Sequence, residues 1–413
     1  MSDLLASLEA AEARFAEREP EVLAFLPEEG RFDRLRREAR WLCEHWPDPD
    51  QRPPLFGMLV GVKDIIHVNG FETRAGSRLP PKVLRGPEAS CVTALKKAGA
   101  MILGKTVTTE FAYFAPGPTR NPWNPEHTPG GSSSGSAAAV AAGLCPVALG
   151  TQTIGSIVRP AAFCGVIGFK ASRTQIPTYG IIPLSTTLDQ PGLFARDAAT
   201  ARRVASLLCD RWRPYPPERK PRMGVAVGPY LQRVSKEGMI HFRGVCDRLA
   251  DAGYEVLPVP AMEDFAEVVD RHYRVVAAEV ARVHEKWFAR YESLYDPRTA
   301  ELIRKGQAIT DEDLARDVAA CHRLGDELTS LMDRHKIDLW ISPAAVGPAP
   351  KGLDATGDPV MNLPWSQSFK PVVNVPAGRS ADGLPMGLQI AALLGDDEDT
   401  LYWAADLERL LRE

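Results

Sequence analysis

Three segments in the first half of the chain carry residue types that could do chemistry. Lys63 lies inside the apolar stretch 59–66 (LVGVKDII). Two loops rich in glycine and serine follow, at 129–136 (PGGSSSGS) and 150–160 (GTQTIGSIVRP). Burying an ammonium group is costly, so a lysine in such a stretch either pairs with an acid, such as Asp64, or gives up its proton. A deprotonated lysine is a base, and a serine needs an activating base before it can act as a nucleophile.

The loop at 129–136 fits several kinds of site. Its glycines let the backbone turn sharply, and its serines could be helix caps or reactive hydroxyls. A phosphate-binding loop requires Lys followed by Ser or Thr after the last glycine, whereas Ser-Ala follows here, so nucleotide binding is a poor option. The stretch also matches the nucleophile pattern G-x-S-x-G, which needs a histidine later in the chain. The candidates His284 and His322 lie in predicted helices with no loop signal.

The loop at 150–160 follows a short apolar strand predicted at 145–149. Successive backbone N–H groups in such a turn can form an anion-binding nest, and Ser156 could face an oxyanion hole built by its own loop. The alternative is a plain strand-to-helix connection with Ser156 as a cap. Because neither histidine is a credible partner, Lys63 is the available base, and Ser-Lys variants of the hydrolytic triad are known.

Composition limits the class of protein. The chain has 413 residues, of which 45% are hydrophobic and 25% charged, which is ample for a large buried core. A formal net charge of -4 without a long block of like charge argues against nucleic acid as a partner. The seven cysteines are scattered and form no C-x-x-C pair, which favours the reducing cytoplasm over a disulfide framework or a zinc site. The sequence shows no signal-peptide pattern, and no apolar run reaches the roughly 18 residues of a membrane span.

Helix and strand patterns alternate along the chain, which is the rhythm of the α/β class. Periodic apolar residues predict helices at 3–17, 29–45, 90–99, 137–142, 236–252, 263–293, 311–335 and 396–412. Short apolar runs predict strands at 59–66, 101–103, 145–149, 224–227, 254–259, 338–342, 372–375 and 387–391.

The two serine loops together resemble the amidase signature family. The resemblance rests on GGSSSGSAAAVAAG at 130–143 followed by GTQTIGSIVRPAAFCGVIGFK at 150–170; it is strong over 55–200 and looser over 338–395. It implies one α/β domain over residues 1–413, with a single large mixed β-sheet flanked by helices on both faces. Within it we expect a helical lead-in at 1–54 and a catalytic core at 55–200. An insertion at 201–335 completes the pocket, and strands with a terminal helix follow at 336–413.

The resemblance also assigns roles to matching residues. It implies that Ser156 is the acylated nucleophile, that Ser132 relays its proton next to a cis peptide bond, and that Lys63 is the base. By the same resemblance, Thr153, Ile154 and Gly155 form the oxyanion hole. Ser133 supports this network, and Gly131 contacts the substrate. The resemblance implies no metal and no cofactor.

Three positions mark a branch of the family or depart from its common pattern. Gln152 stands where many members have Asp, an exchange that occurs in a sub-branch. Ile154 stands where many have Gly, and a β-branched residue narrows the pocket, which favours a slim substrate. Arg159, three residues past Ser156, resembles the arginine of malonamidase-like small-amide hydrolases, which holds a substrate carboxylate. Alternatively, Arg159 anchors its loop to a nearby acid.

The resemblance therefore implies an amidohydrolase that cleaves the C–N bond of a small amide to acid and ammonia through a Ser-acyl intermediate. The amide bears a carboxylate if Arg159 binds one. We expect a cytoplasmic protein with a small-molecule amide substrate, no nucleic-acid or membrane partner and, as in the family, a homodimer. Two alternatives stay open: the glutaminase-type subunit of a tRNA amidotransferase, and a catalytically silent binding protein on the same fold.

Overall fold

This computed structural model describes residues 2–412. Within them, ten strands form one mixed β-sheet. The strands are β1 (Leu59–Lys63), β2 (Met101–Thr106), β3 (Val147–Gln152), β4 (Ile167–Lys170), β5 (Gln190–Ala195), β6 (Met223–Val227), β7 (Val256–Pro260), β8 (Leu339–Pro343), β9 (Val372–Arg379) and β10 (Pro385–Ala391). Their order across the sheet is β2-β1-β3-β5-β4-β9-β10-β8-β6-β7. At the two ends of this order, β2-β1-β3 and β8-β6-β7, neighbouring strands are parallel. From β3 to β8, neighbouring strands are antiparallel.

Helices cover both faces of this sheet, which confirms the predicted fold class. Over the same residues they are α1 (Ser2–Val22), α2 (Arg31–His45), α3 (Ser90–Lys97), α4 (Ser134–Ala141), α5 (Val158–Cys164), α6 (Ala198–Leu208), α7 (Lys236–Asp251), α8 (Phe265–Tyr291), α9 (Pro297–Gln307), α10 (Asp311–His335), α11 (Leu363–Gln367) and α12 (Asp397–Leu411). Among these helices, none is both long and apolar enough to cross a membrane.

The strands β1, β2 and β3 are buried along most of their length because helices pack on the sheet. Every residue of β2 and β3 is buried, and so are the last four of the five residues of β1. A strand covered on both sides reads as a continuous apolar run, without the alternation of a half-exposed strand. This is why the predictions at 59–66 and 145–149 located β1 and β3.

Some predicted elements have different bounds, and others were missed. The long helices predicted at 263–293 and 311–335 are confirmed as α8 and α10. The strand predicted at 59–66 ends earlier, at the end of β1. The missed elements are β4, β5, α5, α6, α9 and α11. β5 contains Pro191 and Gly192, residues that usually mark turns, and pairing along its whole length with β3 holds it extended.

Two parallel strands bring the predicted base and the second serine loop to one edge of the sheet. Val62 of β1 lies opposite Leu149 of β3, so Lys63 lies beside the last residues of β3, shortly before the loop that follows this strand. α4, which begins in the first serine loop, packs closely on the same edge. A Cβ on Gly135 would collide with the backbone of Ala24 and Val107, so only glycine permits this approach.

Candidate active site

Lys63 is the last residue of β1, and its side chain is completely buried. Its Nζ lies 2.7 Å from Ser132 Oγ and 2.9 Å from Thr151 Oγ1. Burial lowers the pKa of Lys63 to about 7, and the negative charge of Asp189 opposes this shift. A substantial share of the amine is therefore neutral near neutral pH and can accept a proton.

The neighbouring acid, Asp64, pairs with a different lysine. Asp64 Oδ1 lies 2.7 Å from Lys105 Nζ, and both side chains are buried. Asp64 Oδ2 also accepts hydrogen bonds of 3.0 Å from the backbone N–H groups of Arg74 and Ala75. The salt bridge that we considered for Lys63 is thus formed by Lys105, and the contacts of Lys63 are with hydroxyl and carbonyl groups.

Ser132 lies in the loop before α4, and the peptide bond between Gly131 and Ser132 is cis, as the resemblance implied. The Ser132 carbonyl accepts a hydrogen bond of 3.1 Å from the Thr109 N–H. The Ser133 hydroxyl donates to the carbonyl of Thr151 at 3.3 Å. Both serines therefore border the end of β3, next to the buried lysine.

Ser156 lies in the turn between β3 and α5, and it is 8% exposed. The loop that carries Ser132 packs directly against the start of α5. A Cβ on Gly130 would lie only 2.8 Å from the Cα of Pro160, so the two backbones are in close contact. The structure therefore brings together the turn that carries Ser156, the loop that carries Ser132, and Lys63.

Gln152, the last residue of β3, organises the turn that follows it. Its Oε1 accepts hydrogen bonds of 2.9 and 3.0 Å from the N–H groups of Ile157 and Val158, at the start of α5. Its Nε2 donates to Ser366 Oγ at 2.9 Å, and Ser366 Oγ donates to the Ile154 carbonyl at 2.7 Å. In a planar trans peptide the N–H points opposite to the carbonyl. Because the Ile154 carbonyl faces Ser366, the N–H of Gly155 in the same peptide points away from Ser366. An aspartate could accept but not donate in this arrangement.

Asp189 is a site residue that the sequence analysis missed. Its Oδ1 accepts a hydrogen bond of 2.5 Å from the Thr153 hydroxyl, and its Oδ2 one of 2.8 Å from the Leu184 N–H. Burial of the carboxyl group raises the pKa of Asp189 to about 6, against the effect of these hydrogen bonds and of Lys63. The only sequence signal is one acid in the otherwise uncharged segment 184–192.

Arg159 is the second residue of α5 and is 1% exposed. Its Nη2 donates to the Gly131 carbonyl at 2.7 Å and to Thr356 Oγ1 at 3.1 Å. Its Nε and Nη1 have no hydrogen-bond partner within residues 2–412. Burial lowers the pKa of Arg159 to about 10, and Tyr273 and Asp358 oppose the shift. A carbonyl and a hydroxyl thus anchor this arginine, and two of its buried nitrogens are left without a hydrogen-bond partner in the described part of the chain.

Neither histidine considered for a serine–histidine arrangement faces the serine loops. His284 Nδ1 lies 3.0 Å from the Tyr295 hydroxyl, and its ring packs edge-on against Phe111. Burial lowers the pKa of His284 to about 3, so it is neutral. His322 is exposed on α10, where its ring contacts Phe369. Neither of these two histidines therefore contacts a loop serine, whereas Lys63 Nζ lies 2.7 Å from Ser132 Oγ.

Comparisons with known proteins show the family of this chain. A family model described as Amidase matches residues 7–401, and the chain belongs to this family of hydrolases that act on amide C–N bonds. A glutamyl-tRNA(Gln) amidotransferase subunit of Synechococcus sp. (strain RCC307) is 30% identical and covers 97% of this chain and 93% of that protein. A solved amidase structure has a TM-score of 0.88 at 32% identity, with 99% of this chain and 96% of that one covered. The peptide amidase from Stenotrophomonas maltophilia has a TM-score of 0.81 at 26% identity, covering 98% and 93%.

One group of predictions is wrong. We expected a small-molecule amide substrate and no nucleic-acid partner, yet relatives from Synechococcus and Koribacter versatilis are named as subunits of glutamyl-tRNA(Gln) amidotransferase, a name that includes a tRNA. The net charge of -4 is a sum over the whole chain, so it describes neither local surfaces nor partner subunits. The finer resemblance to the malonamidase-like branch stays a prediction.

Proposed function

We propose that this chain hydrolyses a carboxamide through an acyl-enzyme on Ser156, with Lys63 as the base and Ser132 as the proton relay. The observation that carries the proposal is the 2.7 Å contact between Lys63 Nζ and Ser132 Oγ, in surroundings that lower the pKa of the lysine to about 7. A silent binding protein would gain nothing from a partly neutral amine held against a serine hydroxyl, a group that can pass a proton on.

In the proposed cycle, neutral Lys63 accepts the proton of Ser132 while Ser132 accepts the proton of Ser156. Ser156 Oγ attacks the amide carbonyl, and backbone N–H groups of residues 153–156 donate to the oxyanion. The proton returns through Ser132 to the leaving nitrogen, and ammonia departs. Water then attacks the acyl-enzyme by the same relay, which releases the acid and restores the free serine.

We infer that the acyl group carries a carboxylate. Arg159 is a buried cation whose Nε and Nη1 lack partners in the described chain, and its Nη2 is already engaged beside the relay loop. An anionic ligand would satisfy these donors and compensate the buried charge. Ile154, at the proposed oxyanion loop, narrows the pocket and favours a slim acyl chain. Glutamine and the monoamides of short dicarboxylic acids both meet this description.

The curated relatives favour one candidate within this class, the glutaminase-type subunit of a tRNA amidotransferase. The match to the amidotransferase subunit of Synechococcus sp. (strain RCC307) extends over 97% of the chain, and therefore includes α8 as well as the serine loops. In this candidate, ammonia released at Ser156 is used by an assembly that acts on glutamyl-tRNA. The second candidate is a malonamidase-like enzyme, which the position of Arg159 supports.

We also propose that the protein works in the cytoplasm. All seven cysteines are free, and six of them are buried. Secreted proteins more often use cysteines in disulfides. Fractionation of the source cells, with detection of the chain by antibody, tests this location.

The test of the function is ammonia release by wild type, Ser156→Ala and Arg159→Ala. The substrates pair glutamine and monoamides of dicarboxylic acids with neutral amides of matched length. We expect the acidic amides to be hydrolysed, the activity to be lost in Ser156→Ala, and Arg159→Ala to act mainly through KM. If the neutral amides are hydrolysed equally well and Arg159→Ala has no effect, the acyl group does not need a carboxylate. The proposal that the chain hydrolyses amides would still stand.

A second arm distinguishes the two candidates. Glutamine hydrolysis that depends on co-purified partner subunits and glutamyl-tRNA would select the amidotransferase candidate, whereas hydrolysis by the chain alone would select the malonamidase-like enzyme. If no amide is hydrolysed under either condition and Ser156 does not react with a fluorophosphonate, the proposed function is wrong.

A further inference from the structure

Glu279 lies in the middle of α8 and is 6% exposed. Its carboxylate faces the turn at 184–189, which precedes β5. The carboxylate accepts four hydrogen bonds from this turn, given by the hydroxyls of Ser185, Thr186 and Thr187 and the backbone N–H of Thr187. One side chain of α8 therefore fixes three consecutive residues that lie more than 90 positions earlier in the sequence.

The turn that Glu279 holds also carries Asp189. The Ser185 carbonyl accepts a hydrogen bond of 3.0 Å from the Asp189 N–H, and the Leu184 N–H donates to Asp189 Oδ2 at 2.8 Å. Asp189 Oδ1 in turn accepts from the Thr153 hydroxyl at 2.5 Å. A continuous chain of hydrogen bonds thus runs from α8 to the turn that carries the nucleophile.

We propose that Glu279 is a positioning residue for hydrolysis. It holds the turn at 184–189 so that Asp189 keeps Thr153, and with it the oxyanion loop, in place. This inference rests on the proposed function, because that function gives the loop around Thr153 its role. α8 supplies no member of the triad. Glu279 gives this helix a hydrogen-bonded path to the Thr153 side chain, and His272 of the same helix lies next to the Thr153 backbone.

A merely structural carboxylate would affect stability without affecting turnover. Glu408 of α12 provides the matched control, because it is the same residue type and is also 6% exposed. Glu408 accepts a hydrogen bond of 2.9 Å from the Ala198 N–H at the start of α6. Replacing either glutamate by alanine removes a buried carboxylate, but only Glu279 is connected to Thr153.

The kinetic test compares Glu279→Ala, Glu279→Gln, Glu408→Ala, Asp189→Asn and the double variant Glu279→Ala/Asp189→Asn. We expect Glu279→Ala to lower kcat about 100-fold with little change in KM, because small displacements of a catalytic loop have effects of that size. Glu279→Gln should recover most of this loss, since its amide oxygen accepts and its amide nitrogen can donate to the threonine hydroxyls. The double variant should be no slower than Asp189→Asn alone.

Amide hydrogen exchange tests the same inference without a substrate. In Glu279→Ala, exchange should become faster at 184–189 and at 153–158, while wild type and Glu408→Ala should match each other there. Unchanged exchange at 184–189, a kcat equal to that of Glu408→Ala, or additive losses in the double variant would each overturn the positioning role. If wild type hydrolyses no amide, the proposed function fails while the exchange data still decide the role of Glu279.

Discussion

Lys63 and Lys170 are two completely buried lysines, each at the last residue of a strand, in β1 and β4. Burial lowers the pKa of both to about 7. Their partners differ. Lys63 Nζ lies against the hydroxyls of Ser132 and Thr151. Lys170 Nζ donates to carbonyl oxygens of its surroundings, those of Ala171, Gln190 and Lys370.

This difference shows that burial and a lowered pKa do not identify a catalytic lysine. A carbonyl oxygen only accepts, so three of them satisfy the three donors of an ammonium group and cannot supply a proton. A hydroxyl both donates and accepts, so Ser132 can give its proton to Lys63 and take another from its neighbour. We therefore assign the chemistry to Lys63 and a structural role to Lys170.

The largest effect should come from Lys63→Met. Methionine fills the buried volume but cannot accept a proton, so kcat/KM at neutral pH should fall by at least about 10³-fold. Ammonia release measures the loss, and thermal unfolding checks that the variant is folded. A folded Lys63→Met enzyme with activity near that of wild type would remove the distinction between the two lysines.

Lys170→Met should have the opposite profile. It leaves three carbonyl acceptors without their donor, so the free energy of unfolding should fall by roughly 2–4 kcal/mol. The activity of each folded molecule should stay within about tenfold of wild type, since no proton passes through this site. Urea unfolding and active-site titration measure the two quantities. A stable but inactive Lys170→Met protein would show that this lysine has a chemical role after all.

Asp189→Asn sharpens the account of how the pKa of Lys63 is set. The negative charge of Asp189 favours the ammonium form and so raises the pKa of Lys63 against burial. Without that charge, the pKa of Lys63 should fall below its present value of about 7. The acid limb of kcat/KM should then move to lower pH by roughly one unit. Profiles of kcat/KM from pH 5 to 9 measure the position of this acid limb. A shift of the limb to higher pH would contradict the effect of Asp189 on the pKa of Lys63.

Thr151→Val should have the smallest effect of the four. It removes the hydroxyl that lies 2.9 Å from Lys63 Nζ and preserves the shape of the side chain. The loss of one hydrogen bond to the amine should change kcat about fivefold. Thr299→Val in α9 removes another buried hydroxyl, away from this lysine, and should leave kcat unchanged. Equal effects of the two variants would mean that Thr151 acts only through packing.

Sequence patterns located the parts of the site that lie in short, distinctive segments. Lys63 is a charge in an apolar strand, and Ser132 and Ser156 lie in two loops whose composition matches one family. The long helices α8 and α10 were also predictable, because their apolar residues repeat at helical spacing over more than six turns.

The missed residues act through partners that are distant in the sequence. Glu279 binds a turn 94 positions before it, and Thr153 donates to Asp189, 36 positions later. Ser366 accepts a hydrogen bond from Gln152, which lies 214 positions before it. None of these pairs forms a local pattern, since tertiary packing alone brings the partners together. For the same reason the segment around Pro191 gives no strand signal of its own, and its pairing with β3 is what makes it β5.

The rate at which a fluorophosphonate labels Ser156, measured from pH 5 to 9, tests the central claim most directly because it needs no knowledge of the natural substrate. We predict that the rate in wild type rises with one ionisation near pH 7, following the neutral form of Lys63. The same rise should persist in Lys170→Met and disappear in Lys63→Met. A rise near pH 7 that survives in folded Lys63→Met would contradict the account, because another group would then be the base.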